Sequence, residues 1–107
     1  MYLLTAGLDL RDLRLYPTDV HLLRLAGMVP FGIFDKFIIH LGLSNMSWQN
    51  ILEQYRIYGL TVIQFLALCE WRCMQHKDKK MMSFKDLSDA LTAINYSCHI
   101  LCEVGNN

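Results

Sequence analysis

The residues with the greatest chemical reach are four cysteines, Cys69, Cys73, Cys98 and Cys102, arranged as two pairs four positions apart. On helices each pair would share a face. Four thiolates from two helices could then make a tetrahedral zinc site or a redox module. Zinc knuckles, however, sit on turns, and these cysteines lie among apolar neighbours. Free cysteine packs as a small hydrophobe and is one of the most buried residue types, so a core role is the simpler reading. Bonds within a pair are unfavourable, because Cβ vectors one helical turn apart are nearly parallel. Free thiols of a reducing compartment are therefore expected, with no metal and no cofactor.

Acid–base and nucleophilic chemistry finds less support. His99 follows Cys98 directly, and adjacent helical residues diverge by about 100°. His21, His40 and His76 have no local acid or nucleophile that would complete a triad. The chain carries no Gly-rich phosphate loop and no H-E-x-x-H. No catalytic residue is expected. His76, Lys77, Lys79 and Lys80 form the one basic run, interrupted by Asp78. It reads as a solvated loop or as a rim of charge contacts to an acidic partner patch. Trp48 falls on an apolar stripe and is expected in the core. Trp71, flanked by Glu70 and Arg72, is expected to be partly exposed.

Positioning these residues falls to helices. Thr18 can cap a segment carrying Val20, Leu22, Leu23 and Ala26, with Asp19 in its first turn. Gly27 and Pro30 stop that segment. Phe34, Phe37, Ile38 and Leu41 follow i, i+3, i+4, i+7 spacing and end at Gly42. Ser47 opens a third segment, in which Trp48, Ile51, Leu52 and Tyr55 repeat the template up to Gly59. Thr61-x-x-Gln64 has the form of a capping box leading into Phe65, Leu66, Cys69 and Cys73. Ser83-x-x-Asp86 is a second such box, before Leu87, Ala90, Leu91, Ile94, Cys98, Leu101 and Cys102. Strand-like alternation is confined to Leu8–Leu10 and Leu13–Leu15, within a lead-in over residues 1–17. The bundle itself spans 18–104, followed by a tail over 105–107.

Length and composition agree with one small all-α domain. The chain has 107 residues, 53% of them from AVILMFWYC and 11% aromatic, which excludes disorder. Counting the 6 Gly in place of the 5 Tyr keeps the apolar share above the roughly 45–50% of an average soluble domain. Ten basic and ten acidic residues cancel, so nothing in the charge totals points to nucleic acid. The longest apolar stretch, Ile57 to Cys69, is too short to cross a bilayer and is read as a buried core helix. No membrane insertion is expected, and the start of the chain lacks the form of a secretory signal.

The order of the apolar positions resembles the death domain. Phe34-x-x-Phe37-Ile38-Ile39-x-Leu41-Gly42-Leu43-Ser44 looks like that family's second helix, although Phe34 stands where the family usually has Trp. Trp48-x-x-Ile51-Leu52 resembles the third helix. Gln64-Phe65-Leu66-x-Leu68-x-x-Trp71 is similar to the fifth, and Leu87-x-x-Ala90-Leu91-x-x-Ile94 to the sixth. The segment after Tyr55 is short for a separate fourth helix. The death-effector domain ranks second, because Phe84-Lys85-Asp86-Leu87 keeps only the D-L of its R-x-D-L signature. The caspase-recruitment fold ranks third.

This resemblance implies a six-helix antiparallel bundle with a Greek-key death fold and no active site. It also implies a cytoplasmic adaptor or receptor module of apoptotic or innate-immune signalling. Its partners would be other death-domain proteins, bound homotypically or heterotypically in oligomeric signalling assemblies. The candidate partner-binding charges are Asp35, Lys36, Glu53, Arg56, Arg72, Lys77, Asp78, Lys80, Asp86 and Asp89. The candidate core is Leu23, Phe34, Phe37, Ile38, Leu41, Trp48, Ile51, Leu52, Phe65, Leu66, Cys69, Leu87, Leu91 and Ile94. Two other classes stay open: the four-cysteine metal-binding or redox module, and a structural helical domain of a larger protein.

Overall fold

A computed structural model describes residues 16–78, 80, 82–96 and 100–105. The lead-in alternation at residues 8–15, together with Cys98 and His99, lies outside these residues. Among the described residues the secondary structure is entirely helical. Helix α1 spans Asp19–Met28, α2 Phe31–Leu41, α3 Asn45–Tyr55, α4 Leu60–Lys77 and α5 Phe84–Ala93. A 3₁₀ turn, Arg56–Tyr58, joins α3 to α4, and a six-residue segment, α6, covers Ile100–Gly105. Where six full helices are expected, five of ten residues or more are built, and the last is a short terminal turn.

The missing length is explained at Asn95. The apolar repeat from Leu87 through Leu101 predicts one continuous helix, yet α5 stops at Ala93. Asn95 adopts a left-handed φ of 60°, a region that Asn enters more readily than most side chains. Its N–H donates to Thr92 O, and the Tyr96 N–H donates to Leu91 O. These two reversed bonds form a Schellman motif, which satisfies the last carbonyls and turns the chain away. The same motif closes α2. Gly42 has φ 111°, its N–H donates to Ile39 O, and the Leu43 N–H donates to Ile38 O.

Helix starts follow the sequence with two corrections. The Thr18 hydroxyl accepts the His21 N–H, and His21 Nδ1 accepts the Thr18 N–H in return, closing a capping box. Ser83 and Asp86 close another at α5: the Ser83 hydroxyl accepts from Lys85 N–H, and the Asp86 carboxylate accepts from Ser83 N–H. Helix α3 begins at Asn45, earlier than Ser47, because Ser44 caps it by accepting the Ser47 N–H. Helix α4 begins at Leu60, after Gly59 at φ 96°, and has no side-chain cap. The Thr61–Gln64 pattern is therefore not a capping box, and Gln64 does something else.

Helix α4 is the hub, packing against α1, α2 and α3, while α5 packs on α2 and α6 on α1. Trp48, Trp71, Phe34, Phe37 and Phe84 are fully buried around it, with Leu22, Leu25, Ile38, Leu68 and Leu87. Each apolar side chain of this size contributes about 1.5–3 kcal/mol when buried. Of the expected core, Phe34, Phe37, Ile38, Leu41, Trp48, Leu87 and Leu91 are buried. Ile51, Leu52, Phe65, Cys69 and Ile94 are half-buried and pack against that core. Leu66 is half-buried at its edge.

Leu23 is a correction, at 49% exposed. The inward stripe of α1 is Leu22, Leu25, Ala26 and Val29, and Leu23 lies about 100° round from Leu22 beside exposed Val20 and Gly27. Trp71 is the opposite correction: it is buried, with Glu70 beside it turned to solvent.

Candidate interaction surface

Gln64 is the one buried polar side chain of the described core. Its amide nitrogen donates to Ala26 O at 2.8 Å and to Val29 O at 2.9 Å. A helix running on from Ala26 would satisfy that carbonyl with the N–H of residue 30, but residue 30 is proline and has none. Gln64 therefore supplies from α4 what Pro30 removes from the end of α1. This is how the α1–α2 corner is held against the hub.

A second tie holds the entry to α1. The Arg72 guanidinium donates to Pro17 O at 3.1 Å and pairs with the Asp19 carboxylate. It also lies 5.7 Å from the centre of the Tyr16 ring. The Tyr16 hydroxyl in turn sits 2.7 Å from His76 Nε2. Arg72 is half-buried and committed to this latch, so it is not a free contact for a partner. Asp86 is likewise half-buried and occupied by the α5 cap. Both were candidate partner charges because flanking charges on a helix look exposed in sequence; the tie and the cap depend on tertiary position and cap geometry.

The remaining candidate charges are exposed. Asp35 and Lys36 lie on α2, where with Ile39, His40, Asn45 and Gln49 they line a shallow groove of about 240 Å³ toward α3. Glu53 and Arg56 stand at the end of α3 and in the 3₁₀ turn. Lys77, Asp78 and Lys80 lie at and beyond the end of α4. Asp89 is paired one helical turn away with Lys85, at 3.0 Å. These exposed charges are spread over α2, the end of α3, the end of α4 and α5, so no single element carries them.

The cysteine cluster is only half described. Cys69 and Cys73 are free thiols one turn apart on α4, half-buried and exposed respectively. Cys102 belongs to α6 and its side chain, like Cys98, lies outside the described residues. Among the described residues no three His, Cys, Asp or Glu side chains converge on a point that could hold a metal ion. Burial pushes the Cys69 thiol up from its ordinary pKa, with Arg72 opposing and Asp19 reinforcing the shift. A thiol held protonated is a packing group more than a nucleophile or ligand. Cys69 borders a groove of about 390 Å³ between α3 and α4, lined also by Ser47, Asn50, Gln54, Tyr55 and Glu70.

Sequence reasoning missed the most exposed apolar segment among the described residues. Within the stretch read as a buried helix, Ile57 is 82% exposed, Tyr58 59%, Leu60 52% and Val62 39%. The core resumes only at Ile63. The Tyr58 ring leans on Tyr55, with centroids 6.0 Å apart. Together the 3₁₀ turn, Gly59 and the first turn of α4 make an apolar elbow. Gly59 was the available signal, since it separates Ile57 and Tyr58 from the helical register of Ile63, Ala67 and Leu68. No helix here is long and apolar enough to cross a membrane among the described residues.

No family model, no curated protein and no solved structure matches this chain.

Proposed function

We propose that the chain is a protein–protein interaction module of the death-fold kind, the five helices and α6 forming a variant of the antiparallel Greek-key bundle. On this reading it acts in cytoplasmic apoptotic or innate-immune signalling, as part of an adaptor or receptor, and performs no catalysis. Its partners are other death-domain proteins, and its contacts build oligomeric assemblies.

The observation that carries the reading is the elbow. A chain whose core already encloses two tryptophans and three phenylalanines still leaves Ile57, Tyr58, Leu60 and Val62 to solvent within six residues. Contiguous exposed apolar groups rimmed by charge mark association surfaces more often than they decorate an idle one. The order of the apolar positions along α2, α3, α4 and α5 supports the death-fold assignment. Exposed charges of both signs, among them Asp35, Lys36, Lys77 and Lys80, would supply orientation and discrimination among partners.

The test is cross-linking of the full chain in cells, with the captured proteins identified by mass spectrometry. Death-domain proteins are expected among them, with capture reduced by Lys36→Glu. A captured set without any death-domain protein overturns the reading.

A further inference from the structure

We infer that Asn95 is the hinge of an exchangeable arm: α5 and α6 straighten into one helix, and α6 then docks on α1 of a second copy of this chain. The stripe that α5 buries continues into α6 as if no break stood between them. Leu87, Ala90, Ile94, Leu101 and Val104 fall on one heptad frame, whose remaining position is Ser97. Four of these five side chains are buried, and Ile94 is half-buried against the core. No Gly or Pro lies between Phe84 and Val104, so no residue of that span forbids a continuous helix. The break rests instead on Asn95, an exposed residue at φ 60° and the only non-glycine with a positive φ among the described residues. A left-handed backbone costs an L residue free energy, and straightening releases that cost.

What holds the arm closed belongs to α1 and is available from either copy. Helix α6 packs chiefly on α1, with Leu101 and Val104 only 1% and 0% exposed. Arg24 of α1 donates from Nη1 to Val104 O at 3.2 Å, satisfying a carbonyl that the end of α6 leaves free. Straightening at about 1.5 Å per residue carries Leu101 about 12 Å and Val104 about 16 Å beyond Ala93. The slot they vacate keeps its guanidinium, and the surface the structure shows to fit it is α6 itself. A second copy fills the slot with the same two side chains and the same carbonyl, reciprocally about a two-fold axis. The exchanged pair thus recovers the α1–α6 contacts. Against it stand the reversed bonds of Asn95 and Tyr96 and the entropy of joining two chains. Dilution favours the closed monomer, and concentration favours exchange.

Two opposed substitutions at Asn95 test this, and because the side chain is exposed neither disturbs the core. Alanine favours the straight helix, whereas glycine favours the left-handed break. The full chains are refolded at about 1 mM and their masses followed by sedimentation on dilution. The dimer has twice the 12.5 kDa of one chain. Each dimer contains two hinges, so Asn95→Ala is expected to raise the association constant at least about tenfold over wild type. Asn95→Gly is expected to lower it by about the same factor. In a dimer refolded from isotope-labelled and unlabelled chains, nuclear Overhauser contacts are expected between the Val104 methyl groups of one chain and α1 of the other. A chain that stays monomeric in all three forms overturns the inference. So does association that Asn95→Gly favours over Asn95→Ala, or a dimer whose Val104 contacts stay within each chain. The outcome does not depend on which other proteins the chain captures in cells.

Discussion

Replacing Gln64 by Leu removes one amide that holds two carbonyls. Its nitrogen donates to Ala26 O at 2.8 Å and Val29 O at 2.9 Å from a site only 2% exposed. Each bond has a net value of about 1 kcal/mol, and a buried carbonyl left unpaired costs about 1–3 kcal/mol. Ala26 O cannot recover a partner from the backbone, because Pro30 has no N–H. Leucine fits the volume and returns about 1–2 kcal/mol of apolar burial. The net loss for Gln64→Leu is therefore about 2–3 kcal/mol. For a chain of this size that lowers Tm by roughly 10 °C or more.

Urea unfolding followed by tryptophan fluorescence is a suitable assay, since Trp48 and Trp71 are both buried. Gln64→Glu supplies a control with a pH signature. A carboxylate there faces two carbonyl oxygens, so burial and the lack of donors raise its folded pKa above the ordinary ~4.3. Its destabilisation relative to wild type is then greatest at neutral pH and shrinks as the acid protonates on lowering the pH. A Gln64→Leu protein within about 0.5 kcal/mol of wild type would refute the reasoning, because a burial of two unpaired carbonyls cannot cost so little. A Gln64→Glu penalty that does not depend on pH would refute it independently.

Other regions yield further expectations. His21 caps α1 through an unprotonated Nδ1, and its pKa is lowered from 6.5 by burial and then by Arg24. The unfolded chain thus binds the proton first, so stability is full above about pH 6.5 and declines as the pH falls from there toward the depressed folded value. His21→Asn should remove that decline in a pH series of thermal melts. Gly42→Ala should cost about 1–2 kcal/mol in urea melts from the left-handed backbone alone, since the added Cβ would meet only Gln75 Nε2 at 3.9 Å. Arg72→Met should destabilise by about 1–2 kcal/mol, mostly through the lost bond to Pro17 O. A double-mutant cycle between Arg72 and Asp19 should return less than about 1 kcal/mol, because the Asp19 side chain is 73% exposed.

What was legible in the sequence was what local chemistry decides. Thr18, Ser83 and Gly42 each act within a few residues, and each stands where its pattern puts it. Apolar spacing also located the inward stripe of α2, because Phe34, Phe37, Ile38 and Leu41 share one face while Asp35 and Lys36 mark the opposite one. Leu23 was misread because α1 offers apolar residues on more than one side, and only the position of α4 decides which side turns in. The split of the last apolar run at Asn95 was hidden for a related reason: its periodicity continues across the break, and the residue responsible is polar and unobtrusive.

Gln64 and the elbow share a cause that spacing alone cannot express. Helix α4 carries apolar residues from its first turn, so a periodicity reading extends the core through all of it. The core is fixed instead by where α1 ends, and Pro30 ends it with a carbonyl that needs a donor. Gln64 answers that need and thereby registers α4 against α1. With Gln64 committed to Ala26 and Val29, the turn before it is carried past the end of the packed layer. Leu60 and Val62 then remain outside it, and Ile57 and Tyr58 with them. One proline, through the glutamine that compensates it, thus leads to the exposed elbow on which the proposed association depends.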